Sequence, residues 1–172
     1  RLTAVLAKYL GLDAAAMAAA ARAAHLSKDD LGTNMVIEMT SLQGIMGREY
    51  ALRSGETGEV AQAIAEHYQP HTAGDSPPES GPGVAIALAD RLDSLVGLLA
   101  VGMAPTGSAD PYGLRRAALG LVQILLGHGI SIDLRQVIAW SAQSMPVEVD
   151  EGTQVAVLDF IAGRLRGVLK ET

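Results

Sequence analysis

The sequence predicts an all-α fold, and three observations carry that expectation. Apolar residues make up 49% of the 172 while aromatics are only 3%, and the balance rests on alanine and leucine, whose side chains lose little freedom in a helix. Residues that cap helix N-termini stand ahead of apolar runs with helical spacing. No apolar/polar alternation longer than four positions marks a strand, and no internal repeat is visible. The length suits one domain, 1–172, and a charged fraction of 19% argues against disorder.

Taken in order, "LTAVLAKYL" is a short amphipathic helix over 2–10, stopped by Gly11. Asp13 is placed to cap a second helix through "AAAMAAAARAAH". Ser27 and Asp30 read as an S-x-x-D capping box before "LGTNMVIEM", and Thr40 and Gln43 as a T-x-x-Q box before "GIMGREYALR". Residues 30–51 thus read as two consecutive helices joined at Met39-Thr40, with Ile37, Leu42, Ile45, Met46 and Tyr50 on their apolar side. Gly44 and Gly47 would let a neighbouring helix approach closely. Ser54-Gly55 ends that helix, and another spans roughly 57–68.

Residues 70–83, "PHTAGDSPPESGPG", hold four of the seven prolines and read as a long internal loop. A long apolar helix, "VAIALADRLDSLVGLLAVG", follows. The loop "MAPTGSADP" leads into "YGLRRAALGLVQILLG", with Asp110 as cap and Pro111 in the first turn. Two more helices cover about 133–144 and 151–170.

Composition limits the chemistry. With no cysteine, disulfides and thiolate metal sites are excluded, and a reducing cytoplasmic setting fits. The formal charge of −6 disfavours a stand-alone nucleic-acid binder without excluding a local basic face. The longest apolar runs, such as "LVGLLAVGM", are shorter than the ~20 residues of a membrane span. A chain beginning at Arg1 suggests a piece excised from a longer protein.

His67 and His71 have the four-residue spacing of two ligands on one helix face. Pro70 would break that helix, so a metal pair is not the expectation. His25 at a helix end, where the dipole favours a cation, and His128 in the turn "GHGIS" read as structural or solvated. There is no G-x-S-x-G, and "PTGSADP" lacks the lysine and spacing of a phosphate loop. Asp90 and Asp93, one turn apart, could bind a cation, but carboxylates so placed more commonly accept hydrogen bonds from arginines and helix ends.

The basic groupings are Arg48 with Arg53, and Arg115 with Arg116. A solvated or ion-paired face is their ordinary role, and RNA contact the sharper one. Arg116 lines up with Gly120, Gln123 and Gly127, which would leave room for a backbone phosphate. Arg115 lines up with Leu119, Val122 and Leu126, so its stem should lie on the core and its guanidinium should need Asp110, Asp90 or Asp93. Losing such a buried pair would cost ~3–5 kcal/mol.

Several blocks resemble a known family: "AAHLSKDDLGTNMVIEMTSLQGIMGREYALRSGE", "VAQAIAEHYQPHTAGD", "ALADRLDSLVGLLAVGMAPTGSADPYGLRRAALGLVQILL" and "LDFIAGRLRGVL". From about Ala23 to Leu169, in order and with the expected spacing, they are similar to the beta subunit of bacterial heterotetrameric glycyl-tRNA synthetase. The resemblance implies an internal piece of a longer subunit, its HD-like helical domain. HD phosphohydrolases hold a divalent metal with a separate histidine, a His-Asp doublet and a later aspartate. By resemblance the doublet position holds Ser27 and Lys28, while Asp90 matches the later aspartate. One carboxylate beside a lysine is a poor cation site. The resemblance therefore implies no metal or cofactor in this piece and no catalysis by it alone. ATP and Mg would be used by the complete synthetase through its alpha subunit. Partners would be tRNA(Gly), contacted by Arg116, Arg48 and Arg53, and the alpha subunit in a heterotetramer, with no membrane. The competing readings are an HD-type phosphohydrolase using His25, His67, His71 and Asp90, and a spacer domain touching neither metal nor RNA.

Overall fold

The computed structural model describes residues 1–72 and 74–171. Ala73, inside the loop expected over 70–83, and Thr172 lie outside the described residues. The described residues form helices α1 (Leu2–Tyr9), α2 (Ala14–Leu26), α3 (Asn34–Glu38), α4 (Ile45–Arg53), α5 (Gly58–Glu66), α6 (Gly81–Ala100), α7 (Leu114–Gly127), α8 (Leu134–Ala142) and α9 (Glu151–Glu171). One isolated bridge, Thr106 to Ala109, is the extent of β-pairing among them. The all-α expectation holds.

The chain divides into two units. The first is built mainly on Thr3–Gln69 and Ser76–Leu88, the second on Pro70–Asp75 and Ala89–Thr172.

In the first unit α5 packs on α2 and on α4. Asp13 caps α2 as expected, accepting from the Ala16 amide at 2.8 Å. The alanine run gives α2 a flat face, and Ala19 and Ala23 are buried with Ala63, Ile64 and Ile86. A second cluster joins Ala7, Ala20 and Ala85. Small side chains let the helix backbones come close, so the core gains dispersion contacts without large residues.

The stretch 30–51 holds a helix on each side of the expected Met39-Thr40 junction, but 3₁₀ turns interrupt the two. After α2 come a 3₁₀ turn at Asp29–Gly32, the five-residue α3, a second 3₁₀ turn at Thr40–Leu42, and then α4. Neither expected capping box forms. Ser27 ends α2 with its hydroxyl donating to the Ala24 carbonyl at 3.2 Å, and α3 is capped by Thr33. Asp30 is buried, and its Oδ2 accepts from the Gly44 amide at 2.7 Å. A partner fourteen residues away has displaced the local box. Ile37 (62% exposed) and Ile45 (51%) therefore miss the apolar face expected of them.

The close approach at the two glycines is present. Gly44 has φ +79°, which glycine adopts without steric cost. A Cβ there would stand 2.7 Å from the Tyr68 ring, and one at Gly47 2.8 Å from Ile64 Cγ2. Both glycines let α4 sit on α5.

The helix after the proline-rich loop starts at Gly81, earlier than the loop boundary expected at 83. Ser80 Oγ accepts from the Gly83 amide at 3.0 Å, and buried Glu66 accepts from the Ser80 amide and hydroxyl. Pro82 in the first turn of α6 lacks only a donor that the turn would leave unpaired.

In the second unit α9 packs on α7 and α8. Leu92, Leu95, Val96, Leu121, Ile138 and Ile161 are among its buried residues. Asp133 and Asp150 cap α8 and α9 through the Arg135 amide at 2.9 Å and the Thr153 amide at 2.6 Å. Asp110 caps α7 from four residues ahead, accepting from the Leu114 and Arg115 amides at 2.8 and 2.9 Å. Pro111 lies in the preceding turn, and Gly113 (φ +66°) is the residue next to the helix.

Candidate functional site

The four arginines singled out by the sequence fall into two pairs. On α4, Arg48 bonds Glu49 at 3.0 Å and is partly exposed, and Arg53 is exposed in the last turn. On α7, Arg116 is exposed with its guanidinium folded toward Gly113.

Arg115 corrects the sequence reading. Its guanidinium donates to the carbonyls of Gly107 and Ala109, at 2.6 and 3.3 Å, and not to a carboxylate. Asp110 is committed to backbone amides, so it serves as a cap and not as an ion-pair partner. Asp90 is partly buried and Asp93 exposed on α6. The surface bonds tie Arg115 to the loop ahead of its helix.

The arginine that is buried is one the sequence reading passed over. Arg91 is 6% exposed, and its guanidinium donates to the Pro70 carbonyl at 3.2 Å. Burial pushes its pKa down to about 10, partly offset by the negative charge of Asp90. A Cβ at Gly120 would stand 2.7 Å from Arg91 Nε. The expectation that Gly120 leaves room beside Arg116 for a phosphate is thereby overturned, because that space holds Arg91. Helical phase was the available signal, since Arg91 shares its side of α6 with buried Leu88 and Leu95.

The positions that resemble a metal doublet are otherwise engaged. Ser27 is buried and bonded to its own helix, and Lys28 is exposed. His67 is fully buried with Nδ1 2.6 Å from the Ile64 carbonyl, whereas His71 is exposed past Pro70. His25 is exposed in the last turn of α2, and His128 follows the last residue of α7. Among the described residues, no group of three or more His, Asp or Glu side chains is arranged to hold a metal ion.

The first unit contains a pocket of about 180 Å³ whose lining includes Arg22, Asp29, Asp30, Gly47, Tyr50 and Glu56. Arg22 bonds Glu56 at 2.5 Å, and that bond holds the Glu56 carboxyl below the usual carboxylate range. Asp30 is 2% exposed; Oδ2 is held by Gly44, and Oδ1 has no hydrogen-bond partner among the described residues. The sequence reading saw Asp30 only as a local cap. The signal for more was the Gly44/Gly47 pair, because a Cβ at 47 would stand 3.1 Å from Asp30 Oδ2.

These features define an all-helical chain with arginines on two exposed helix surfaces and an acidic pocket on its first unit. A family model described as glycyl-tRNA synthetase beta subunit matches residues 1–172, and the chain belongs to that family. It is 48% identical over 170 residues to the glycine–tRNA ligase beta subunit of Neisseria gonorrhoeae, covering 98% of this chain and 24% of that protein. It is 47% identical over 155 residues to the beta subunit from Desulforamulus reducens, covering 87% and 22%. With the beta subunit from Aromatoleum aromaticum the identity is 48% over 159 residues, covering 90% and 23%. The chain thus spans about a quarter of the length of the curated relatives it matches. Among the described residues, no helix is long and apolar enough to cross a membrane.

Proposed function

We propose that this chain acts as a non-catalytic, HD-like helical part of a glycine–tRNA ligase beta subunit, supporting tRNA recognition and subunit architecture while tRNA is charged with glycine. The observation that carries the reading is family membership across residues 1–172. Ser27 supports the non-catalytic part: its hydroxyl closes the end of α2 instead of facing a ligand. By resemblance to the family, glycine activation with ATP and Mg falls to an alpha subunit, and the lack of a phosphate-cradling motif in this sequence agrees with that. The tRNA contacts are assigned to Arg48, Arg53 and Arg116, whose charged ends can meet phosphates without disturbing the core.

The test is titration of tRNA(Gly) against the intact beta subunit at two salt concentrations, with Arg53→Ala and Arg116→Ala alongside. Weaker binding and a shallower salt dependence in the variants support the reading. Unchanged titrations would leave the chain a spacer. Metal retained through chelation, with phosphoester hydrolysis lost in Asp90→Ala, would establish the hydrolase.

A further inference from the structure

The pocket on the first unit has an acidic character that the tRNA reading does not use. Asp29, Asp30 and Glu56 face it against one arginine, Arg22, which is already engaged by Glu56. Asp30 is buried, with one oxygen committed to Gly44 and the other without a partner among the described residues. A buried carboxylate oxygen only accepts hydrogen bonds, and the group that best compensates it is a charged donor. The remaining wall includes Leu26, Ala51 and Ile64, which suits the carbon stem of such a group. At about 180 Å³ the space exceeds what one water needs.

We propose that this pocket receives a single alkylammonium or guanidinium group, with the Asp30 carboxylate as its anchor and the Arg22–Glu56 pair at its edge. The shared chemistry fits either a free organic amine or the lysine or arginine end of a protein segment.

The test uses the intact protein, with the Gly44 and Gly47 amides and the Ile64 methyl groups followed by NMR. Propylammonium and methylguanidinium chloride are the probes, and sodium chloride and urea the controls. Saturable shifts at these three residues with the probes but not the controls are expected. Asp30→Asn keeps an acceptor for the Gly44 amide but turns the other side of the group into a donor, so binding should weaken at least tenfold. Arg22→Gln provides a second handle should Asp30→Asn fail to fold. It removes the competing cation and should tighten probe binding several-fold. Loss of probe binding when the alpha subunit is added identifies a protein side chain as the occupant. Unchanged binding identifies a free amine. Absence of saturable shifts, equal shifts with sodium chloride or urea, or wild-type affinity in a folded Asp30→Asn would overturn the proposal. So would probe affinity in Arg22→Gln that is unchanged or weaker.

Discussion

The guanidinium of Arg91 occupies the space that a side chain at Gly120 would need, with Nε 2.7 Å from an ideal Cβ at that position. Arg91 is on α6 and Gly120 on α7, so the pair fixes how closely these two helices approach. Gly120→Ala should destabilise the protein by ~1–3 kcal/mol, the usual cost of overpacking a filled site. Arg91→Ala removes the clash and also the bond to Pro70, and should cost a similar or larger amount. In the double mutant the added methyl group meets no guanidinium, so the two effects should fall short of their sum. A double-mutant cycle in urea measures this; strict additivity would mean the two residues do not constrain each other.

Burial of Arg91 also sets a pH dependence. Burial holds its pKa at about 10 in the folded chain, well below that of the free side chain. From pH 10 up to the free side chain's pKa the folded state therefore binds fewer protons than the unfolded one, and stability linked to this group rises with pH across that window. Below pH 10 the burial cost is fully present. Comparing wild type with Arg91→Met isolates the effect: the stability difference should favour Arg91 progressively more from pH 10 upward. A difference that stays flat there would show that the guanidinium keeps its proton.

The same residue shows where sequence reading stopped. Helix existence was legible for α1 to α9, because period and caps such as Asp13 and Asp110 are local signals, but the 3₁₀ turns that flank and shorten α3 were not. The path from Asp30 to Gly44 was not, because a carboxylate that bonds a backbone amide fourteen residues away leaves no local periodicity. For the site, Gly44 and Gly47 were read correctly as points of close approach. Arg115 was misassigned because helical phase gives a side chain's direction without showing whether loop carbonyls lie within its reach. The pocket could not be read at all, since its walls come from α2, the 3₁₀ turn, α4 and α5.

Glu66 links α5 to the start of α6. Its carboxylate accepts from the side chain of Gln62 and from both the amide and hydroxyl of Ser80, while 3% exposed. Glu66→Ala leaves the partly buried amide and hydroxyl of Ser80 without their acceptor, at roughly 1–3 kcal/mol. Glu66→Gln retains an acceptor and should cost less. Hydrogen exchange should show the extra opening of Glu66→Ala concentrated at Ser80–Val84. If those amides keep wild-type protection, the capping role is wrong.

At α7 the carboxylate and the guanidinium should separate in their effects. Asp110→Ala removes the acceptor of two helix-terminal amides and should cost ~1–2 kcal/mol. Arg115→Ala loses two exposed bonds to loop carbonyls and should cost less than ~1.5 kcal/mol. Thermal or urea unfolding of the two variants decides it. A larger loss from Arg115→Ala than from Asp110→Ala would restore the buried ion pair that the sequence suggested.

Three exposed arginines make distinguishable contributions to the proposed tRNA contact. Arg48 already faces Glu49 at 3.0 Å, so part of its charge is neutralised and must be released before it can bind a phosphate. Arg53 is the exposed last residue of α4, and Arg116 stands on the exposed side of α7. Each arginine that neutralises one phosphate should contribute ~0.9 to the slope of log affinity against log salt on duplex nucleic acid, and ~0.7 on single strands. Arg53→Ala and Arg116→Ala should each reduce the slope by about that amount. Arg48→Ala should reduce it by less, and Glu49→Gln should increase it by releasing Arg48. Stability should be unchanged in all four variants, since none of these side chains enters the core. Binding curves for tRNA(Gly) at several salt concentrations provide the measurement. A slope in Arg48→Ala that falls as far as in Arg53→Ala would mean that the Glu49 bond does not hold Arg48 back, and three unaltered slopes would remove these arginines from the contact.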